Sequence, residues 1–113
     1  MVSNGLITNE RTIAENPDLV RRMVRATMRG IQYAVEHPQE AYNYCLNYVD
    51  GLENADQEVQ FQVMQVSMAL YQTDPYGYSS PQSWSNMQDV LMDMGMLKRP
   101  IDLEEAYSNE FIQ

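Results

Sequence analysis

The sequence predicts a mainly α fold, with one short N-terminal strand followed by four to five helices. Three observations lead there. Apolar residues recur at steps of three and four through most of the chain, the period of a helix with one covered face. Proline, asparagine, serine, aspartate and glycine stand where helices start and stop. Strand signals are confined to the first nine residues.

The strand is expected at Leu6–Thr8, preceded by Ser-Asn-Gly turn chemistry and followed by Asn9. A strand needs a partner, and no other stretch alternates with period two. It is therefore expected to pair with another molecule or to belong to a sheet this chain lacks. Glu10 to Glu15 reads as a helical turn leading into the main helix, Asn16 to His37. There Asn16 can cap the first turn, Pro17 suits the first helical position and Asp18 complements the positive end of the helix dipole. Val20, Met23, Val24, Thr27, Ile31, Ala34 and Val35 share one face, and Arg21, Arg22, Arg25 and Arg29 lie opposite. His37 and Pro38 close the segment, because the residue before proline is pushed out of helical geometry.

A second helix restarts at Pro38, with Ala41, Tyr42, Cys45, Tyr48 and Val49 at helical spacing and Gly51 placed to end it. Asn54 and Gln57 have the spacing of a capping box opening a third helix. Its two apolar stripes, Val59/Val63/Val66/Leu70 and Phe61/Met64/Met68/Tyr71, predict cover on two sides. Thr73 to Ser80 is a turn-rich loop with aromatic ends. Ser80 and Pro81 open a fourth helix through Trp84, Met87, Leu91 and Met94, ending near Gly95. Lys98 and Arg99 follow, and Pro100 stops the segment. Asp102 and Glu105 are spaced to cap a short last turn around Leu103 and Ala106.

At 113 residues the sequence holds one domain at most, residues 1–113. Nine Met and eight Tyr against two Phe and one Trp predict an adaptable core with polar tips at its edge. The formal charge of −9, with four of the seven basic residues on one short stripe, excludes a nucleic-acid binder and points to solubility. The sequence as given has no apolar run long enough to insert in a membrane and no export leader. Cys45 is alone, so no internal disulfide and no cysteine-based zinc site is expected, and it reads as a small buried apolar residue.

Catalytic chemistry finds no support. His37 lacks the convergent partners a metal or acid–base site needs, so no metal, cofactor or catalytic residue is assigned. Adjacent Glu104 and Glu105 point in different directions on a helix. No nucleophile elbow, P-loop or dinucleotide fingerprint is present. Arg21, Arg25 and Arg29 recur every four residues, and such like charges repel by roughly 0.2–0.5 kcal/mol per pair, so acidic neighbours are expected to offset them. The stripe reads either as a solvated, salt-bridged face or as a surface for an anion or acidic partner. Tyr76, Tyr78 and Trp84 either anchor the loop on its own core or offer aromatic contact to a planar ligand. The methionines of the third and fourth helices are core filler or a partner groove.

The run LITNERTIAENPDLVRRMVRATMRGIQYAVEHPQEA, then SWSNMQDVLMDMGML and PIDLEEAYSNEF, resembles the C-terminal third of substrate-binding proteins of ABC importers. The nearest branch is the NMT1/THI5-like group, with its binders of thiamine pyrimidine precursors and riboflavin, similar to sulfonate binders. Ile31 departs from the tryptophan frequent in that family. The resemblance implies a fragment of an α/β type 2 periplasmic-binding-protein lobe, in which Leu6–Thr8 is the last strand of a sheet supplied elsewhere. It also implies a non-enzymatic parent, periplasmic or otherwise extracytoplasmic, that captures a small-molecule nutrient and delivers it to an ABC permease. Thr8 and Asn9 at the strand end, and more loosely Asn4, are the ligand-binding positions it carries over. The alternative is a self-contained helical protein–protein interaction module that oligomerises through its Met-rich and Tyr-rich faces. Under either reading the isolated chain is expected to form a homo-oligomer.

Overall fold

The computed structural model describes residues 4–112. Among them the helices are α1 Glu10–Glu15, α2 Pro17–Glu36, α3 Pro38–Cys45, α4 Gln57–Ala69, α5 Pro81–Asp93 and α6 Leu103–Ala106, with a 3-10 turn at Leu52–Asn54. The mainly helical class predicted from sequence is the class observed. The chain divides into two compact units, one joining the residues up to Val24 with those from Tyr78 onward, the other Arg25–Gly77.

The strand is the exception. No strand forms among the described residues, and residues 4–9 have no regular structure. The physical reason is the one anticipated, since an isolated extended segment has nothing to satisfy its ladder of N–H and C=O groups. Ile7, which a sheet would cover, is 97% exposed.

Side-chain caps set most helix starts. Asn9 accepts from Thr12 N at 2.8 Å to open α1, and Asn16 accepts from Leu19 N at 3.2 Å to open α2. Asp18 pairs with Arg22 at 3.2 Å one turn on. At His37 the backbone leaves helical geometry and Pro38 restarts it as the first residue of α3. The predicted apolar face of α2 is half-buried along its length, apart from Met23, which is exposed.

In the second unit α3 packs against α4 and the 3-10 turn against the start of α4. Tyr42 is the buried residue here and meets the Phe61 ring edge-on at 5.5 Å. Its hydroxyl donates to Gln57 Oε1 at 3.0 Å, while Gln57 Nε2 donates to the carbonyls of Leu52 at 2.7 Å and Ala55 at 3.1 Å. One amide thereby ties α3, the 3-10 turn and the first residue of α4 together.

Four expectations are corrected in this unit. The cap of α4 is Asp56, not Asn54: its carboxylate accepts from Glu58 N and Val59 N, both at 3.1 Å. That leaves Gln57 free to bridge rather than cap. Helix α3 stops at Cys45, four residues short of Val49, and the chain continues in turns to Gly51 at φ +79° with Tyr48 and Val49 exposed. Cys45 itself is only half-buried. Lastly, α4 is covered on one side and not two. Phe61, Met64 and Met68 are half-buried, whereas Val59, Val63, Val66 and Leu70 are at least half exposed, because the chain places no second layer over them.

In the first unit Ser80 caps α5 by accepting from Ser83 N at 3.1 Å. The helix ends in paired turns closed by Gly95 N to Met92 O at 2.9 Å and Met96 N to Leu91 O at 2.9 Å. This closure needs a left-handed residue, which Gly95 supplies at φ +69°. Ile101 N donates to Gln88 Oε1 at 2.7 Å, folding the chain back on α5. Asp102 then caps α6 by accepting from Glu104 N at 2.9 Å.

Tyr42→Phe keeps the buried ring and removes only the bond to Gln57. It should lower unfolding stability by about 1 kcal/mol, seen as an earlier denaturant midpoint with an unchanged slope; an unchanged midpoint would mean that the bridge contributes nothing.

Candidate functional site

The most interconnected group of side chains lies in the first unit, where the segment from Tyr107 to Phe111 returns to the start of α5 and to α2. The Tyr107 ring stacks on Trp84 of α5, centroids 4.7 Å apart and planes 8° from parallel. Asn109 Oδ1 accepts from Ser79 N at 3.0 Å and its Nδ2 donates to Ser79 O at 2.9 Å. A side-chain amide here pairs both backbone groups of Ser79, as a neighbouring strand would. Phe111 is the buried residue of this unit, with the Arg21 guanidinium 5.8 Å from its ring centroid, within cation–π range. Trp84 Nε1 is buried and finds no acceptor among the described residues.

Trp84 therefore has one ring face taken by Tyr107. Tyr78 is exposed in the same unit, and Tyr76 is half-buried in the loop that ends the second unit, where Thr73 Oγ1 donates to Pro75 O at 2.9 Å. Thr8 and Asn4 are exposed, and Asn9 is exposed with its side-chain oxygen engaged as the cap of α1. Sequence reasoning singled out Trp84 but not Tyr107, Asn109 or Phe111. The available signal was the pair of aromatic residues four apart in the polar tail YSNEF.

The arginine stripe differs from its expected form. No ion pair among the described residues offsets Arg21, Arg25 and Arg29: Arg21 lies over Phe111, and the acid in the first turn of α2 pairs with Arg22 instead. The reason is register, since Asp18 reaches the residue four positions on. Elsewhere, the Tyr33 phenol is held above its ordinary value of 10.0, chiefly by its hydrogen bond to the Glu40 carboxylate.

A shallow open hollow of about 290 Å³ lies beside Tyr42 and Phe61, with Gln39, Asn43 and Glu58 on its wall. Its amides are largely committed, Gln39 to Asn43 at 3.3 Å and Gln57 to the bridge described above. The described residues contain no group of three His, Cys, Asp or Glu side chains placed to hold a metal ion. No helix among them is long and apolar enough to cross a membrane.

Residues 1–41 match the family model described as NMT1/THI5 like. These residues are NMT1/THI5-like. The match covers the irregular segment, α1, α2 and the start of α3. Over nearly its whole length the chain is also similar to curated binding proteins. It is 32% identical to the riboflavin-binding protein RibY of Chloroflexus aurantiacus over 117 residues, which is 99% of this chain and 33% of that protein. It is 27% identical to the formylaminopyrimidine-binding protein of Halalkalibacterium halodurans over 107 residues, 92% of this chain and 32% of that protein. The chain thus spans about a third of the length of these relatives. No solved structure matches it significantly.

Asn109→Ala removes both bonds to Ser79 and should cost about 1–3 kcal/mol. Trp84 is the single tryptophan, so its emission should shift to the red as the Tyr107 segment loosens. Native-like emission and stability would show that stacking alone holds the segment.

Proposed function

We propose that this chain is the C-terminal segment of an extracytoplasmic solute-binding protein of an ABC importer. Its parent captures a small nutrient such as riboflavin, a thiamine pyrimidine precursor or a related compound, and hands it to the permease without chemical change. The observation that carries the reading is the similarity along 99% of the chain to a riboflavin-binding protein, reinforced by a second relative that binds a formylaminopyrimidine. The exposed segment with Asn4, Thr8 and Asn9 is the chain's contribution to the ligand cleft. Tyr76, Tyr78 and Trp84 are its aromatic candidates. The physical support is that the hollow beside Tyr42 and Phe61 is open to solvent, whereas high affinity for a small molecule comes from burying most of its surface.

Titrating riboflavin, pyrimidines and sulfonates by calorimetry, with flavin emission as a second readout, tests this. The isolated chain should show no submicromolar binding, while the longer protein that contains it binds one of these compounds. A parent that binds none of them overturns the proposed function, and tight binding by the isolated chain overturns the half-cleft argument alone.

The bare stripe of α4 also favours self-association of the isolated chain, the behaviour expected of a helical interaction module. Val59, Val63, Val66 and Leu70 leave a continuous apolar row in water. Light scattering should find species larger than a monomer, and Val63→Glu with Val66→Glu should shift them toward monomer. A monomer at high concentration in the unaltered chain would rule this out.

A further inference from the structure

We infer that the proposed self-association of the isolated chain, on which this reading rests, takes one form: α4 pairs antiparallel with α4 of a second copy, along the row Val59, Val63, Val66 and Leu70. The helix and its packing partner α3 both lie in the second unit. The row is spaced four, three and four residues apart, the alternation by which a helix keeps one seam turned to a neighbouring helix. Phe61, Met64 and Met68 lie on the opposite side of α4 and are half-buried where it packs on α3. The seam therefore points away from the unit's own packing. Leu70 follows the last residue of α4 but keeps helical backbone angles, φ −73° and ψ −18°, so the row is continuous.

The row is its own complement. Val59 and Leu70 are equidistant from a midpoint between Met64 and Gln65, and so are Val63 and Val66. Two copies related by a two-fold axis at that midpoint set Val59 beside Leu70 and Val63 beside Val66. Each contact then occurs twice, as an isologous interface requires. The positions flanking the seam fit in the same register. Gln60 faces Ser67 and Gln62 faces Ala69 of the second copy, a long side chain against a short one each time. Ser67 leaves further room, because its hydroxyl turns back to donate to Val63 O at 2.8 Å.

Charge selects the face and the direction. The chain carries a formal charge of −9, so copies repel over most approaches. No charged residue lies between Val59 and Thr73, and here two copies meet without opposing like charges. Parallel pairing would set Asp56 and Glu58, at the start of α4, beside their own copies. Antiparallel pairing holds each Glu58 roughly 20 Å along the axis from its copy. A contact of one short helix on another buries less than the roughly 1,200–2,000 Å² of a stable specific interface, so the dimer forms at high protein concentration and dissociates on dilution.

The experiment is cross-linking of two variants of the full chain, Val59→Cys and Leu70→Cys, both carrying Cys45→Ala because Cys45 is the single cysteine. Val59 and Leu70 are exposed, so neither change touches the packing of α4 on α3. One variant bears a mass tag, and equal amounts are mixed at high concentration with a bismaleimide too short to join Val59 to its own copy, roughly 16 Å away in the antiparallel pair. The mixed product should exceed either self-product by roughly fivefold or more, beyond the about twofold excess that random encounter gives. Self-products in place of the mixed one would show parallel pairing and overturn the inference. A random ratio, or no product while light scattering still finds species larger than a monomer, would put the association on another face; that overturns the inference and leaves self-association standing. A monomer by both measurements overturns the two together.

Discussion

Gln57 is the residue on which the second unit depends, because its single amide holds three separate pieces of chain around one buried ring. Its oxygen takes the Tyr42 hydroxyl and its nitrogen takes the carbonyls of Leu52 and Ala55. Asn109 performs the same service in the first unit, pairing both backbone groups of Ser79 beside the stacked Trp84 and Tyr107 rings. Both arrangements use a side-chain amide where a larger protein would use a strand. They matter because Tyr42 and Phe111 are the buried hydrophobic residues of the described chain. With so little apolar area removed from water, a contribution of about 1 kcal/mol per hydrogen bond is a large share of what holds each unit.

The same shortage explains the surface. Helix α4 presents a valine row to solvent, and Ile7 and Tyr48 are almost fully accessible. A chain evolved to stand alone rarely leaves so many large apolar side chains in rows. Under the proposed function these faces have an account: they would meet other parts of a longer binding protein. The arginine stripe fits that account less directly, since Arg21 is used locally to cover Phe111.

Much of the helical layout was legible. The Asn16-Pro17 start of α2, the break at His37-Pro38, the Ser80-Pro81 start of α5 and its end at Gly95 are all encoded by adjacent residues, and local chemistry acts over one turn. Where competing local signals coexisted, reading them in sequence failed. Asn54 and Asp56 both qualify as caps, and only the bridging role of Gln57 decides between them. Tyr48 and Val49 continue the spacing of α3, yet nothing packs there to reward another turn. The group around Tyr107 and Asn109 was illegible for a different reason: its partners Trp84 and Ser79 lie more than twenty positions away, and no periodicity reports a contact at that separation.

By itself the sequence determined the helical class, the caps, the breaks and the resemblance to NMT1/THI5-like proteins, because each rests on interactions between residues a few positions apart or on residue identity alone. Only the tertiary structure decided which apolar faces are covered, that Leu6–Thr8 forms no strand among the described residues, and that amide side chains rather than an extended core secure the two units. Those outcomes depend on which surfaces are present to be packed. A strand or a second helix face is specified locally, but its stabilisation comes from a partner, and this chain does not supply one.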